Sequence, residues 1–218
     1  MSTSSELNGK DKIKTLKLML IGEAAVGKSS IMYRYTMNSF NPTMLGTAGI
    51  DFKKKEVQYN DTKIKIILYD TAGHDRFRKI IKNHCKGANG IVVVYDLSEE
   101  QSIERLSTWM SDIEENAEKD VELLLFGNKS DKEPRMISQE KGIELSKKYR
   151  IPILETSAKT GYNIEEAFSL LINNILKKEL HETQKTTTET KEKEEIPNKI
   201  INTKKKKNET DGCKCIIF

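Results

Sequence analysis

The stretch Gly22-Glu23-Ala24-Ala25-Val26-Gly27-Lys28-Ser29 constrains this chain more than any other. It fits the phosphate-loop pattern G-x-x-x-x-G-K-[ST], with an apolar run at 16–21 before it and helical spacing over 28–37 after it. Glycines at both ends let backbone N–H groups close around phosphate oxygens, which side chains at those dihedrals would obstruct. Lys28 supplies a flexible point charge that reaches β- and γ-phosphates, and the Ser29 hydroxyl can ligate Mg²⁺. The helix that starts at Lys28 points its positive end at the same anion. A loop of this kind joins a buried strand to a helix, so the fold is expected to be α/β.

The base is chosen further along. Asn128-Lys129-Ser130-Asp131 follows an apolar run, and Thr156-Ser157-Ala158-Lys159 comes later. Asp131 offers an acceptor-only carboxylate, which can take hydrogen bonds from guanine N1–H and the N2 amine together. Adenine would set an acceptor against that carboxylate and leave charge unpaired, a penalty of the kind that gives large discrimination. Either motif alone occurs in unrelated turns. Both in order, each after an apolar strand, indicate a guanine nucleotide.

The remaining elements alternate. Residues 50–58 and 63–69 read as two strands joined at Asn60-Asp61, a hairpin signal. Ile91-Val92-Val93-Val94-Tyr95 is a continuous apolar run, expected of a central strand covered on both faces. Helical spacing predicts a helix over 102–117 (Ile103, Leu106, Trp109 or Met110, Ile113), then a strand at 121–126 that delivers Asn128. Helices at 138–149 and 163–180 flank a short strand at 151–154, with Asn163 and Glu166 spaced as an N-cap and capping acid. The expectation is one domain over 14–180, with a mostly parallel six-stranded sheet, one antiparallel edge and helices on both faces. Residues 1–13 are expected to be a disordered extension. Residues 181–218 are expected to be a disordered tail, with 184–199 too poor in apolar area to fold.

Composition narrows the class. With 36% hydrophobic and 32% charged residues, the apolar deficit is concentrated after His181, and a net charge of +4 gives no case for nucleic acid. Three cysteines, two in the last six residues, form no disulfide framework and fit a reducing cytosol. No run is long and apolar enough for a membrane-spanning helix, the start lacks a signal-peptide core, and Ser2 gives no myristoylation signal. Membrane attachment is therefore expected at the other end. There, Cys215-Ile216-Ile217-Phe218 is a C-a-a-X box whose terminal Phe favours geranylgeranylation, with Cys213 a second candidate. A metal clip or free thiol pair is the alternative, but Cys-x-Cys with no further ligands is a poor zinc site. One lipid anchors marginally. Lys204, Lys205, Lys206 and Lys207 offer a second signal, attraction to anionic lipid.

With these residues in hand, the chain resembles a Ras-superfamily small GTPase and, within it, the Rab family. The marks are Thr47-Ala48-Gly49-Ile50-Asp51-Phe52, Asp70-Thr71-Ala72-Gly73, Arg76-Phe77-Arg78 and the charged, cysteine-ended tail. The resemblance implies GTP and GDP as ligands with Mg²⁺. Nucleotide contacts would come from Gly22, Ala24, Ala25, Val26, Gly27, Lys28, Ser29, Ser30, Phe40, Thr47, Gly73, Asn128, Lys129, Asp131, Ser157, Ala158 and Lys159. Ser29, Thr47 and Asp70 would serve the metal, while Lys28, Gly73 and His74 would serve catalysis. Phe40 would pack on the guanine and Lys129 along it; Asn128 would brace the phosphate loop, and the Ala158 N–H would donate to O6. Ile50, Phe52, Tyr69 and His84 would form an effector patch. Implied partners are an exchange factor, a GTPase-activating protein, an escort protein or dissociation inhibitor, effectors, and the cytoplasmic face of an intracellular or plasma membrane.

Four departures bear on this. His74 stands where the family has glutamine, whose one planar amide can both accept from water and donate to phosphate; imidazole carries its donor and acceptor on opposite edges. Slow intrinsic hydrolysis is expected. Ala24 and Ala25 replace smaller or hydroxylic residues, Tyr69 and His84 replace tryptophan and tyrosine in the patch, and Ala48 replaces isoleucine. Two other classes stay open: a near-constitutive GTP-bound binding module, and a nucleoside-phosphate kinase, for which the substrate-binding insertion and arginine-rich lid are missing.

Overall fold

The computed structural model describes residues 13–59, 62–73 and 78–194, without the side chains of 78–81 and 181–194. The expected turn at Asn60-Asp61 lies outside the described residues, as do His74, Arg76, Phe77, Lys204 to Lys207, Cys213 and Cys215.

Six strands form one sheet: β1 (Lys14–Gly22), β2 (Ile50–Tyr59), β3 (Thr62–Thr71), β4 (Gly90–Asp96), β5 (Glu122–Asn128) and β6 (Ile153–Glu155). Their spatial order is β2-β3-β1-β4-β5-β6, with β2 antiparallel to β3 and all other pairs parallel. This is the expected sheet with its one antiparallel edge. Among the described residues six helices accompany it: α1 (Lys28–Met37), α2 (Arg78–Cys85), α3 (Gln101–Glu104), α4 (Leu106–Asn116), α5 (Gln139–Tyr149) and α6 (Ile164–Glu194).

Alternation along the strands sorts the core into two layers. Leu16, Leu18 and Leu20 of β1 and Ile64, Ile66 and Leu68 of β3 meet Ile31, Tyr35, Phe168 and Leu171 from α1 and α6. Met19 and Ile21 of β1 and Ile91, Val93 and Tyr95 of β4 meet Leu106, Trp109, Ile113 and Leu145 from α4 and α5. Tyr35 stacks on Phe168 at 3.9 Å between centroids, and Phe126 meets the same ring edge-on at 5.6 Å.

Several boundaries differ from the sequence reading. The helix expected over 102–117 is interrupted at Arg105 (φ −87°, ψ 0°), giving α3 and α4. Helix α2 is not among the elements read from the sequence. Strand β6 begins two residues later than expected, because Pro152 follows Ile151 and only 153–155 pair with β5. Asn163 stands at the N-cap position, its carbonyl accepting from Ala167 N–H at 3.1 Å, but at φ 56° rather than extended, and its side-chain amide donates to Glu155 O at 2.9 Å.

The chain divides into two units, Met1–Glu179 and Leu180–Phe218. In the second, residues 180–194 are helical, so α6 ends later than the apolar spacing suggested. Its Lys, Glu and Gln residues are good helix formers. No helix among the described residues is long and apolar enough to cross a membrane.

Candidate guanine-nucleotide site

The loop between β1 and α1 holds the dihedrals its sequence implies. Gly22 has φ 144° and Gly27 φ 99°. A Cβ on Gly22 would fall 2.2 Å from Val94 O, and one on Gly27 would fall 2.4 Å from Asn128 Nδ2. Ala25 also lies in the left-handed region, at φ 61°, where a side chain carries a steric cost of about 1–2 kcal/mol.

Lys28 turns back under the loop. Its ammonium donates to Gly22 O (2.9 Å) and Glu23 O (2.6 Å), and the residue is buried. Burial lowers its pKa to about 8, with Asp70 and Glu23 pulling the other way.

Beside it three oxygens converge. Ser29 Oγ donates to Asp70 Oδ2 at 2.5 Å, Thr47 Oγ1 reaches the same oxygen at 2.8 Å, and the two hydroxyls are 2.8 Å apart. Asp70 is buried, and its Oδ1 has no hydrogen-bond partner among the described residues. Burial raises the Asp70 pKa, against bonds from Ser29 and Thr47 and the charge of Lys28. One carboxylate and two hydroxyls, with an unsatisfied buried oxygen, fit a small hard cation such as Mg²⁺ and not a thiolate- or imidazole-seeking metal.

Gly73 closes against the loop from the other side. A Cβ there would fall 2.2 Å from Ala24 N and 2.3 Å from Glu23 C. Backbone–backbone proximity of this order admits only glycine.

The base end is built from the carboxyl ends of β5 and β6. Asn128 Nδ2 donates to Val26 O at 2.8 Å, while its Oδ1 accepts from Ala158 N–H at 3.2 Å. Ser157 Oγ donates to Asp131 Oδ1, and Lys159 Nζ lies 3.7 Å from Asp131 Oδ2. Lys129, at φ 65°, points its ammonium at Asp96 Oδ2, 2.6 Å away. Asp96 is buried, and Ser98 donates to it twice, from N–H (2.9 Å) and Oγ (2.7 Å). Burial pushes the Asp96 carboxyl up, but Lys129 and Ser98 outweigh it and hold the pKa below the ordinary value. The sequence reading missed Asp96. A lone acid ending the apolar strand β4 was the available signal.

These groups surround one cavity of about 750 Å³. Ala24, Ala25, Gly27, Lys28, Ser29, Ser30, Phe40, Thr47, Gly73, Asn128, Lys129, Asp131, Ala158 and Lys159 all line it. Gly22 and Val26 act beneath the wall through their carbonyls, and Ser157 acts through Asp131. Asp70 lines an adjoining recess with Ser29 and Thr47.

A sequence model of the Ras family matches residues 17–177. Ras-related protein Rab-8 of Diplobatis ommata is 45% identical over 163 residues, covering 74% of this chain and 78% of that protein. Ras-related protein Rab-13 of Canis lupus familiaris is 45% identical over 163 residues, with 74% and 80% covered. Ras-related protein SEC4 of Saccharomyces cerevisiae is 41% identical over 176 residues, with 81% and 82% covered. The chain belongs to the Rab family of small GTPases.

Rab proteins bind guanine nucleotide, hydrolyse GTP to GDP and regulate vesicle trafficking on intracellular membranes through regulators and effectors. Away from the cavity, this Rab sets three rings in a row. Phe52 and Tyr69 have centroids 5.8 Å apart, and Tyr69 and His84 6.0 Å. Phe52 is half exposed, and Ile50 opens the same strand opposite Thr71. Lys54 sits over Phe52 and Lys17 over Tyr69, each 5.4 Å from the ring centroid.

The lowered pKa of Lys28 has a direct consequence for the nucleotide-free protein. Between about 8 and the ordinary 10.5, the unfolded chain holds this proton and the folded chain has lost it. Stability attributable to Lys28 therefore rises with pH across that window. Denaturant unfolding of the native Rab and of Lys28→Met at several pH values should show their difference moving in favour of the native chain from pH 8 to 10.5; a flat difference contradicts the burial argument.

Proposed function

We propose that this Rab cycles between GTP- and GDP-bound forms in the cavity above, with Mg²⁺ at Ser29, Thr47 and Asp70. The observation that carries the reading is the double grip of Asn128, which joins the phosphate loop at Val26 to the base loop at Ala158. Mg²⁺ bound at the three oxygens would supply positive charge against the β- and γ-phosphate oxygens.

The chain's own residues do the rest. Lys28 is already desolvated and can exchange two carbonyl partners for phosphate oxygens. Loop N–H groups and that of Gly73 bind charge that builds on the transferring and leaving oxygens. Asp131 takes the guanine N1–H and N2 amine, the Ala158 N–H exchanges Asn128 Oδ1 for O6, Phe40 and Lys129 flank the ring, and Ser157 and Lys159 hold Asp131. By the resemblance His74 would serve at the water-positioning place, where imidazole offers a donor or an acceptor to one side but not both. When the γ-phosphate leaves, Thr47 and Gly73 lose a partner and their loops relax. Effectors read that change through Ile50, Phe52, Tyr69 and His84.

The same domain would be loaded with GTP by an exchange factor, returned to its GDP form by a GTPase-activating protein, and carried by an escort protein or dissociation inhibitor. Geranylgeranylation at Cys215, with Cys213 as a second acceptor, and the charge of Lys204 to Lys207 would hold it on the cytoplasmic face of a membrane. A second reading, a GTP-bound marker with negligible turnover, draws on the methyl groups of Ala24 and Ala25 lining the cavity and on the left-handed Ala25.

Three measurements test these assignments. Calorimetry should find GTP bound far more tightly than ATP, with Asp131→Ala removing a preference of at least about a hundredfold; an unchanged preference removes Asp131 from base recognition. In single-turnover hydrolysis, His74→Gln should raise the basal rate by roughly tenfold or more, and equal rates would show that imidazole is no handicap. Membrane fractionation should lose the Cys213→Ser/Cys215→Ser double variant to the cytosol; its retention on membranes would exclude lipidation as the anchor.

A further inference from the structure

Arg34, in the last turn of α1, reaches across the fold to the base loop. Its Nε donates to Ala158 O at 2.8 Å and its Nη2 to Lys159 O at 2.7 Å. The remaining terminal nitrogen, Nη1, donates to Asn38 O (3.1 Å) and Asn38 Oδ1 (2.9 Å). The side-chain stem runs beside Gly161, where a Cβ would sit 3.7 Å from Arg34 Cδ.

All four acceptors are neutral oxygens, so each bond is charge-assisted on the donor side only. The arrangement uses the rigid fork of a guanidinium, which a lysine ammonium cannot reproduce. Its target is a tight turn: Gly161 N–H closes back on Ser157 O at 2.8 Å, and Gly161 has φ +87°. Closing the turn leaves the carbonyls of Ala158 and Lys159 facing outward, where Arg34 collects both.

Ala158 is thereby held at both of its backbone groups. Its N–H donates to Asn128 Oδ1 at 3.2 Å, a long bond it would exchange for O6, and its carbonyl is fixed by Arg34 behind. The other end of the fork holds Asn38, the left-handed residue (φ 48°) that ends α1 two positions before Phe40. One cation thus ties the base loop to the start of the segment that brings Phe40 and Thr47 to the nucleotide.

We propose that Arg34 is a positioning residue for guanine: by clamping the Ala158 and Lys159 carbonyls it aims the Ala158 N–H at O6 and so sets the rate of nucleotide release. The proposal rests on the reading of Ala158 as the O6 donor. Its test is the release rate of ribose-labelled GDP, and of the 6-thio analogue whose sulfur is the poorer acceptor, from the full-length chain.

Losing the clamp in Arg34→Gln should speed GDP release by about tenfold, with Arg34→Lys intermediate. Release of the 6-thio nucleotide should speed up by a factor at least about three times smaller, since less of its binding depends on that N–H. Thermal unfolding at saturating GDP monitors the fold, and Arg34→Lys, which keeps the charge, carries the test if Arg34→Gln is unstable. Equal acceleration of both nucleotides, or none, overturns the proposal. A native protein that itself releases both nucleotides at one rate overturns the assignment of Ala158 to O6, and the role of Arg34 with it.

Discussion

The side chain of Asn128 is the bond on which the site's geometry depends. It spans from the phosphate loop to the base loop, donating to Val26 O and accepting from Ala158 N–H. These loops are separated by more than a hundred residues, and each has its own turn chemistry; neither alone fixes the distance between a triphosphate and its base. An amide is a compact uncharged group that can donate to one loop and accept from the other in a single plane. Asn128 is buried, so losing Val26 O would leave its amide N–H without water, whereas Oδ1 keeps Thr156 Oγ1 at 3.5 Å when Ala158 turns to the base. The constraint also explains a glycine: Gly27 lies so close that any side chain would displace the Asn128 amide.

A second tier of charges keeps the exposed base-site residues in place. Lys129 is partly exposed and would be mobile alone, but Asp96 fixes its ammonium, and Ser98 fixes Asp96. The carboxylate of Asp131 is aimed by Ser157 in the same way. Long side chains at a ligand site lose rotamer freedom on binding. Holding them beforehand transfers that cost to folding, where the strand ends and the core already position the partners.

Much of this was legible in the sequence where a rule is local. The phosphate loop, the β-strand alternation and the antiparallel hairpin are set by neighbours within a few residues, and they stand where the spacing put them. The mostly parallel sheet with one antiparallel edge followed from connection rules combined with those strands. What escaped depends on distant partners. Arg105 interrupts a helix whose apolar spacing runs on unbroken, and Pro152 delays a strand whose apolar residues start earlier. Asn163 has cap chemistry, yet its amide is taken by Glu155 O from a neighbouring strand. Asp96 and Arg34 look like ordinary surface residues until the fold brings Lys129 and Ala158 to them. A single sequence carries the donor and acceptor types but not which of them will meet.

The register of the hairpin links the nucleotide to the surface partners would read. Strands β2 and β3 pair Phe52 with Tyr69, Asp51 with Asp70 and Ile50 with Thr71. Successive residues of a strand face opposite sides. Asp70 therefore turns to the oxygens of Ser29 and Thr47, while Tyr69, one residue before it, turns to the ring row with Phe52 and His84. Just beyond, Ala72 N–H donates to Gly49 O at 2.8 Å, tying the segment after Thr47 to the segment before Gly73. A movement of Thr47 or Gly73 is thus transmitted to both strands of the hairpin at once. Because the hairpin is antiparallel, the two ends that carry these residues lie side by side, and the aromatic row begins a single residue pair away. No separate relay is needed: the pleat that buries Asp70 is the same one that presents Tyr69.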